Sequence, residues 1–172
     1  MTKILLKSVT ISDNTSKHHK KVRDVLIDRG KISTIGKITN DNAKKVVNAK
    51  GMILSQGWVD MRAWYADPGF EHKEDNDTGR DVAQAGGFTH VAVLPNNSPV
   101  TQTKNDISYL NSGNQGSLTQ LHPVAAVTLE TKGTDLTEMI DLHTAGAIAF
   151  SDGLKPLWHS DILLKSLQYL QK

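Results

Sequence analysis

The chain has 172 residues, a formal net charge of +2 and no cysteine. That length suits one domain, or a small domain beside part of a larger one, with a sizeable core. The small charge argues against nucleic acid or a membrane surface as a partner, and the absent thiols exclude disulfides, thiol catalysis and Cys-based zinc sites. A hydrophobic content of 38% with 22% charged residues is that of a globular protein. The opening MTKILLKSVTIS lacks the apolar core of a signal peptide, and no apolar run approaches a membrane span, so a cytoplasmic protein is expected. The basic run Lys17–Arg23 reads as a solvated loop.

In chain order, the pattern predicts strands at Ile4–Ile11, Val22–Asp28 and Lys31–Ile38, the last bent or bulged at Gly36. Two short strands, Lys45–Asn48 and Met52–Leu54, flank the turn Ala49-Lys50-Gly51. This opening is all-β with hairpin spacing. After Gly57, strand and helix signals alternate, which predicts βα units on a parallel sheet. Trp58–Trp64 is the first strand, placing Asp60, Arg62 and Trp64 on one face by the period of two. A helix capped by Asp75 or Asn76 runs to Gly86-Gly87. Thr89–Leu94 is a buried strand, followed by the turn PNNSP. Thr101 can cap a helix to about Leu110, and Asn111–Ser117 is a loop. Leu121–Val127 is the third strand. Asp135 and Glu138 have capping-box spacing for a third helix that ends at Gly146. Ala147–Phe150 is the fourth strand. Ser160 or Asp161 caps a fourth helix with Leu163, Leu164, Leu167 and Leu170 on one face.

The stretch DMRAWYADPGFEHKEDNDTGRDVAQAGGFTHVAVLPNNSP resembles the signature region of dihydroorotases, members of the amidohydrolase superfamily alongside hydantoinases and allantoinases. That family shows Asp-x-His-x-His-x-Arg at the end of the first barrel strand, then Pro-Gly, Ala-Gly-Gly-Phe-Thr and Met-Pro-Asn-Thr. Asp135–Phe150 with Ser151-Asp152-Gly153 and Lys155-Pro156 resembles the family's Phe-Ser-Asp-Asp-Gly-x-Pro segment. The resemblance implies the N-terminal part of an α/β (β/α)8 barrel, the first four βα units at residues 55–172, with part of a β-sandwich at residues 1–54. A whole barrel needs about 250 residues, and four units leave two open sheet edges. An oligomer, or the missing half of the barrel, is therefore expected as a partner, and the 172 residues alone are not expected to make a stable monomer.

The resemblance also implies hydrolytic opening and closing of a cyclic amide. In the family, dihydroorotate and N-carbamoyl-L-aspartate interconvert in pyrimidine biosynthesis on one or two metal ions, usually zinc. Two His projecting from one strand face would grip the ion, and an Arg two residues further on would bind a substrate carboxylate. Here the two His positions hold Arg62 and Trp64, and the Arg position holds Ala66. Asp152 is the one candidate carboxylate ligand, and Asn96 matches a substrate-binding position.

Each of these residues carries a second reading. Arg62 either binds an anion in a remodelled pocket or replaces the metal's charge and pairs with Asp152 or Asp60. Trp64 fills the emptied pocket or stacks on a ring. Asn96 binds substrate or shapes its turn. Asp152 binds metal or anchors Arg62 or a loop amide. His72 closes the loop after the first strand. His90, His122, His143 and His159 look dispersed, and His18 with His19 is a poor chelate.

Three functions follow as expectations. One is a dihydroorotase-like protein without metal or catalysis, structural or regulatory, with aspartate carbamoyltransferase as a possible partner. A second is an active cyclic amidohydrolase using ligands outside this chain. The third is a small-anion binder built on Arg62 and Asn96.

Overall fold

A computed structural model describes residues 3–39 and 42–171. The chain divides into two compact units, Met1–Gln56 and Gly57–Lys172.

The first unit is one five-stranded sheet in the order β3-β2-β1-β4, with β5 also on β1. Its strands are β1 (Ile4–Ser12), β2 (Val22–Asp28), β3 (Lys31–Gly36), β4 (Lys45–Asn48) and β5 (Ile53–Ser55). The hairpins β1–β2 and β2–β3 are antiparallel, as the turn signals predict. The last two strands depart from the hairpin reading. β4 lies parallel to the first half of β1 and β5 parallel to its second half, so they share one neighbour and do not pair with each other. Alternating apolar residues Val9, Ile11 and Val25 pack with Ala49 under Leu6, Ile27, Ile35 and Leu54. Where the β1–β2 register breaks, between Leu6 and Val9, Asp24 repairs the ladder. Its carboxylate accepts from Ser8 N at 2.9 Å and Ile38 N at 3.0 Å. These two amides, that of Ile38 first, hold the Asp24 carboxyl below its usual range.

The second unit alternates strand and helix. Its four parallel strands lie in sequence order: β6 (Trp58–Ala63), β7 (Phe88–Val93), β8 (Gln120–Ala125) and β9 (Ala149–Phe150). The helices are α1 (Asn76–Ala85), α2 (Lys104–Ser112), α3 (Met139–Ala145) and α4 (Ser160–Tyr169), with one 3-10 turn at Leu129–Thr131. This is the parallel βα sheet that the alternation predicts, in the half-barrel form that the resemblance implies. The helix-side core joins Val91 and Val93 of β7, Leu121 of β8, Ala83 of α1 and Leu110 of α2. A second cluster joins Ile107, Ala125, Leu142 and Ala147. Truncating a fully buried residue such as Leu121 to Ala costs about 2–5 kcal/mol. Gly79 lets α1 approach the Tyr65 ring, because a Cβ there would stand 2.9 Å from it.

The caps differ from the sequence reading in three places. Asp75 does cap α1, with Thr78 completing the box. For α2 the cap is Thr103 in place of Thr101, and Asp106 closes that box. The Asp135/Glu138 box does not form: Leu136 is drawn into a bridge with Thr128, and α3 begins at Met139, with Glu138 in the cap position making no side-chain cap bond. α4 begins after His159, also without a side-chain cap. Leu163, Ser166, Leu167 and Leu170 line an open groove with Phe150, Pro156 and Leu157, and of the four only Ser166 is buried. Leu164 falls outside this groove and is 57% exposed, so the four leucines do not share one buried stripe. No helix among the described residues is long and apolar enough to cross a membrane.

Candidate functional site

In parallel α/β units, binding groups gather beyond the C-terminal ends of the strands. Four such ends lie here, and Asp152, just beyond β9, ties three of them, those of β7, β8 and β9. It is 3% exposed. Its Oδ1 accepts from Val127 N and Thr128 N, both at 2.9 Å, and its Oδ2 accepts from the Thr128 hydroxyl. The hydroxyl of Thr128 in turn accepts from Gly133 N at 2.8 Å. Asp152 thus anchors loop amides beyond β8 and makes no ion pair with Arg62.

Asn96, beyond β7, is also committed to this loop. Its Nδ2 donates to Asp152 O at 3.0 Å, and its Oδ1 accepts from Leu154 N at 2.8 Å. Gly153 sits at φ +62°, and a Cβ there would lie 2.0 Å from Asn96 Oδ1. Only a residue without a side chain lets this amide close on the loop.

Arg62 is exposed and reaches the same loop by one long bond, Nη2 to Gly153 O at 3.4 Å. Its backbone N donates to Asp60 Oδ1 at 2.9 Å. None of the ion pairs among the described residues includes Arg62, so the expected pairing with Asp152 or Asp60 is not formed. The single shared face of Asp60, Arg62 and Trp64 is broken too. Asp60 pairs with Val91 and Ala63 with Val93, so three steps along β6 match two along β7. This extra residue is a bulge, and it resets the alternation.

Trp64 has its own partners. Its Nε1 donates to Asn97 Oδ1 at 3.1 Å, and Asn97 Nδ2 donates to Asp67 O at 2.8 Å. Phe70 meets the indole edge-on with ring centres 6.3 Å apart, and Lys73 Nζ stands 5.2 Å from both ring centres. A cation over two aromatic faces is favourable by roughly 0.5–2 kcal/mol, depending on its solvation. Ala66, at the family's Arg position, is buried, and its carbonyl accepts from Phe70 N.

Sequence reasoning missed Asp67 and Tyr109. Asp67 is buried and accepts from Asn76 N at 3.1 Å and Tyr109 Oη at 2.7 Å. The bond to Asp67, aided by burial and that carboxylate's charge, pushes the Tyr109 phenol up to about 12. Nothing in the spacing of 42 residues announces this contact. His72 is exposed, and among the described residues its ring bonds to nothing, so it does not close its loop. His143 Nδ1 lies 3.2 Å from Ala147 O. His19 Nδ1 accepts from Asp13 N at 3.1 Å. His90 and His122, dispersed in sequence, touch across neighbouring strands.

The pattern described as "Dihydro-orotase-like" matches residues 51–158. The chain belongs to that family. It is 36% identical over 167 residues to the dihydroorotase of Pelotomaculum thermopropionicum, covering 97% of this chain and 39% of that protein. Against the dihydroorotase of Geobacter sulfurreducens it is 39% identical over 150 residues, covering 86% of this chain and 35% of that one. The chain therefore spans about two fifths of the length of these curated relatives. Among solved structures, L-hydantoinase from Arthrobacter aurescens superposes with a TM-score of 0.75 at 19% identity, over 99% of this chain and 39% of that one. A dihydroorotase crystal structure gives 0.67 at 12%, over 99% and 48%. Both show the amidohydrolase barrel fold.

A zinc ion implied by the family does not fit the residues present at the end of β6. A guanidinium has no lone pair to give, and indole Nε1 only donates. The Asp152 lone pairs already face two amides and a hydroxyl. Among the described residues no three His, Cys, Asp or Glu side chains converge to hold a metal.

Proposed function

We propose that this dihydroorotase-family chain does not hydrolyse cyclic amides and has a structural or regulatory role. The carrying observation is that neither first-strand position offers a lone pair to an ion, and that Trp64 is built into the fold. Trp64 is hydrogen-bonded to Asn97 and meets Phe70 edge-on, and Arg62 reaches the Gly153 carbonyl. Neither side chain can activate water through an ion. The reading extends to the first unit, whose five-stranded sheet would be one layer of a sandwich completed elsewhere. Aspartate carbamoyltransferase is the partner to test first, on the family resemblance, and co-purification from the native source is the measurement.

A second reading keeps an active enzyme, since relatives run well beyond the span matched here. In it, ligands on further strands would hold the ion. The anion-binding reading has less support, because both ends of the Asn96 amide are already bonded to the 152–154 loop. The deciding assay follows dihydroorotate and N-carbamoyl-L-aspartate in both directions, with and without added zinc. No turnover above the uncatalysed rate is expected. Turnover that zinc restores after chelation would overturn the proposal.

A further inference from the structure

The face of the second sheet away from its helices carries a pair of imidazoles that the site at the strand ends does not use. Val91, Val93 and Leu121 point into the helix-side core. Their alternate neighbours His90 and His122 therefore share the opposite face, with His90 beside Val59 and Gln120, and His122 beside Ala92. His90 Nδ1 and His122 Nε2 are 2.9 Å apart. The ring centres are 5.1 Å apart and the planes differ by 33°, so the rings meet nearly head to head. His90 is exposed and His122 half-buried. The outer nitrogens, His90 Nε2 and His122 Nδ1, bond to no described residue. Burial, and then the nearby His90, lower the His122 pKa, which favours the neutral ring.

We propose that His90 and His122 form a two-imidazole site for a divalent late transition ion of the Cu(II) or Ni(II) type. Neutral imidazole is the preferred nitrogen donor for these ions. With metal–nitrogen bonds of about 2.0–2.1 Å, nitrogens 2.9 Å apart subtend an angle of about 90° at the ion. That is the angle between adjacent ligands of a tetragonal or octahedral site and not of a tetrahedral one, which places Cu(II) and Ni(II) ahead of Zn(II). The two lone-pair directions now face each other, so each ring must swivel to aim at one point. The inner N–H proton exchanges through solvent onto the outer nitrogen of the same ring, which keeps it and donates a hydrogen bond to water, so both rings stay neutral. Water completes the coordination. The site is separate from the strand ends and independent of whether the protein hydrolyses anything.

The test is calorimetric titration of the full chain with Cu(II), Ni(II) and Mg(II), joined to electron paramagnetic resonance of the copper form. One Cu(II) per chain is expected, with hyperfine structure from two nitrogens and no heat from Mg(II). His90→Gln and His122→Gln should each weaken binding by about tenfold or more. The double variant His18→Gln, His19→Gln should leave it unchanged. Should either strand variant fail to fold, ring-nitrogen NMR of the unsubstituted protein decides, because His90 and His122 signals must broaden first as copper is added. Binding that survives removal of both rings, a one-nitrogen copper spectrum, or no binding would each overturn the proposal.

Discussion

The ends of β6 and β9 face the same loop, yet they are held in opposite ways. At β9 a buried carboxylate gathers two backbone amides and a hydroxyl, and an asparagine closes over it. At β6 an exposed guanidinium makes one bond of 3.4 Å, and an indole is fixed by packing and a neutral hydrogen bond. The first arrangement cannot lose a member without stranding buried polar groups. The second can lose its arginine and keep its shape. A charge contributes most where its removal leaves partners buried and unpaired, and little where water can replace it.

Removing the carboxylate tests this most severely. Asp152→Ala should destabilise the protein by about 3 kcal/mol or more, since two buried amides lose their acceptor. Denaturant unfolding measures it, and a change under 1 kcal/mol would erase the contrast. Gly153→Ala comes next, at about 2 kcal/mol, through the clash with Asn96 Oδ1 and the positive φ. A crystal structure of that variant should show the Asn96 amide turned away.

The loop after β6 has a clasp of its own, Tyr109 on Asp67, and high pH tests it. The Tyr109 pKa is raised to about 12 in the folded protein. Its contribution to stability is therefore complete below the unfolded value near 10 and lost as pH rises from there through about 12. Stability of Tyr109→Phe against pH should lack this alkaline fall, and ultraviolet titration should lose its latest-ionising tyrosine. Arg62→Ala is the smallest change, within about 0.5 kcal/mol by thermal melting. A loss above 1.5 kcal/mol would show that the guanidinium carries more than its one visible bond.

Much of this architecture was legible because periodicity and turn chemistry are local. The run THVAVLP, apolar on both faces, and the Gly86-Gly87 stop give β7 and the end of α1 directly. The DPGFEHKED and AGGFT segments carry the family. What could not be read depends on partners distant in sequence. Asp135 and Glu138 have cap spacing, but Leu136 is taken by a bridge to Thr128, and tertiary pairing overrides the cap. His90 and His122 are 32 residues apart and become neighbours only when β7 and β8 align. Asp152 was legible as a carboxylate of interest, but its amide partners lie 24 and 25 residues away. The parallel docking of β4 and β5 on β1 was hidden for the same reason, since a three-residue turn between two short strands suggests a hairpin.

The surplus residue between Asp60 and Ala63 works as a phase slip. Upstream of it, odd and even positions address one pair of surfaces; downstream they have traded places. A motif written in steps of two therefore cannot be transplanted across that point by substitution alone. Deleting one residue there should swing Trp64 towards the opposite surface, away from the Asn97 amide that now receives it.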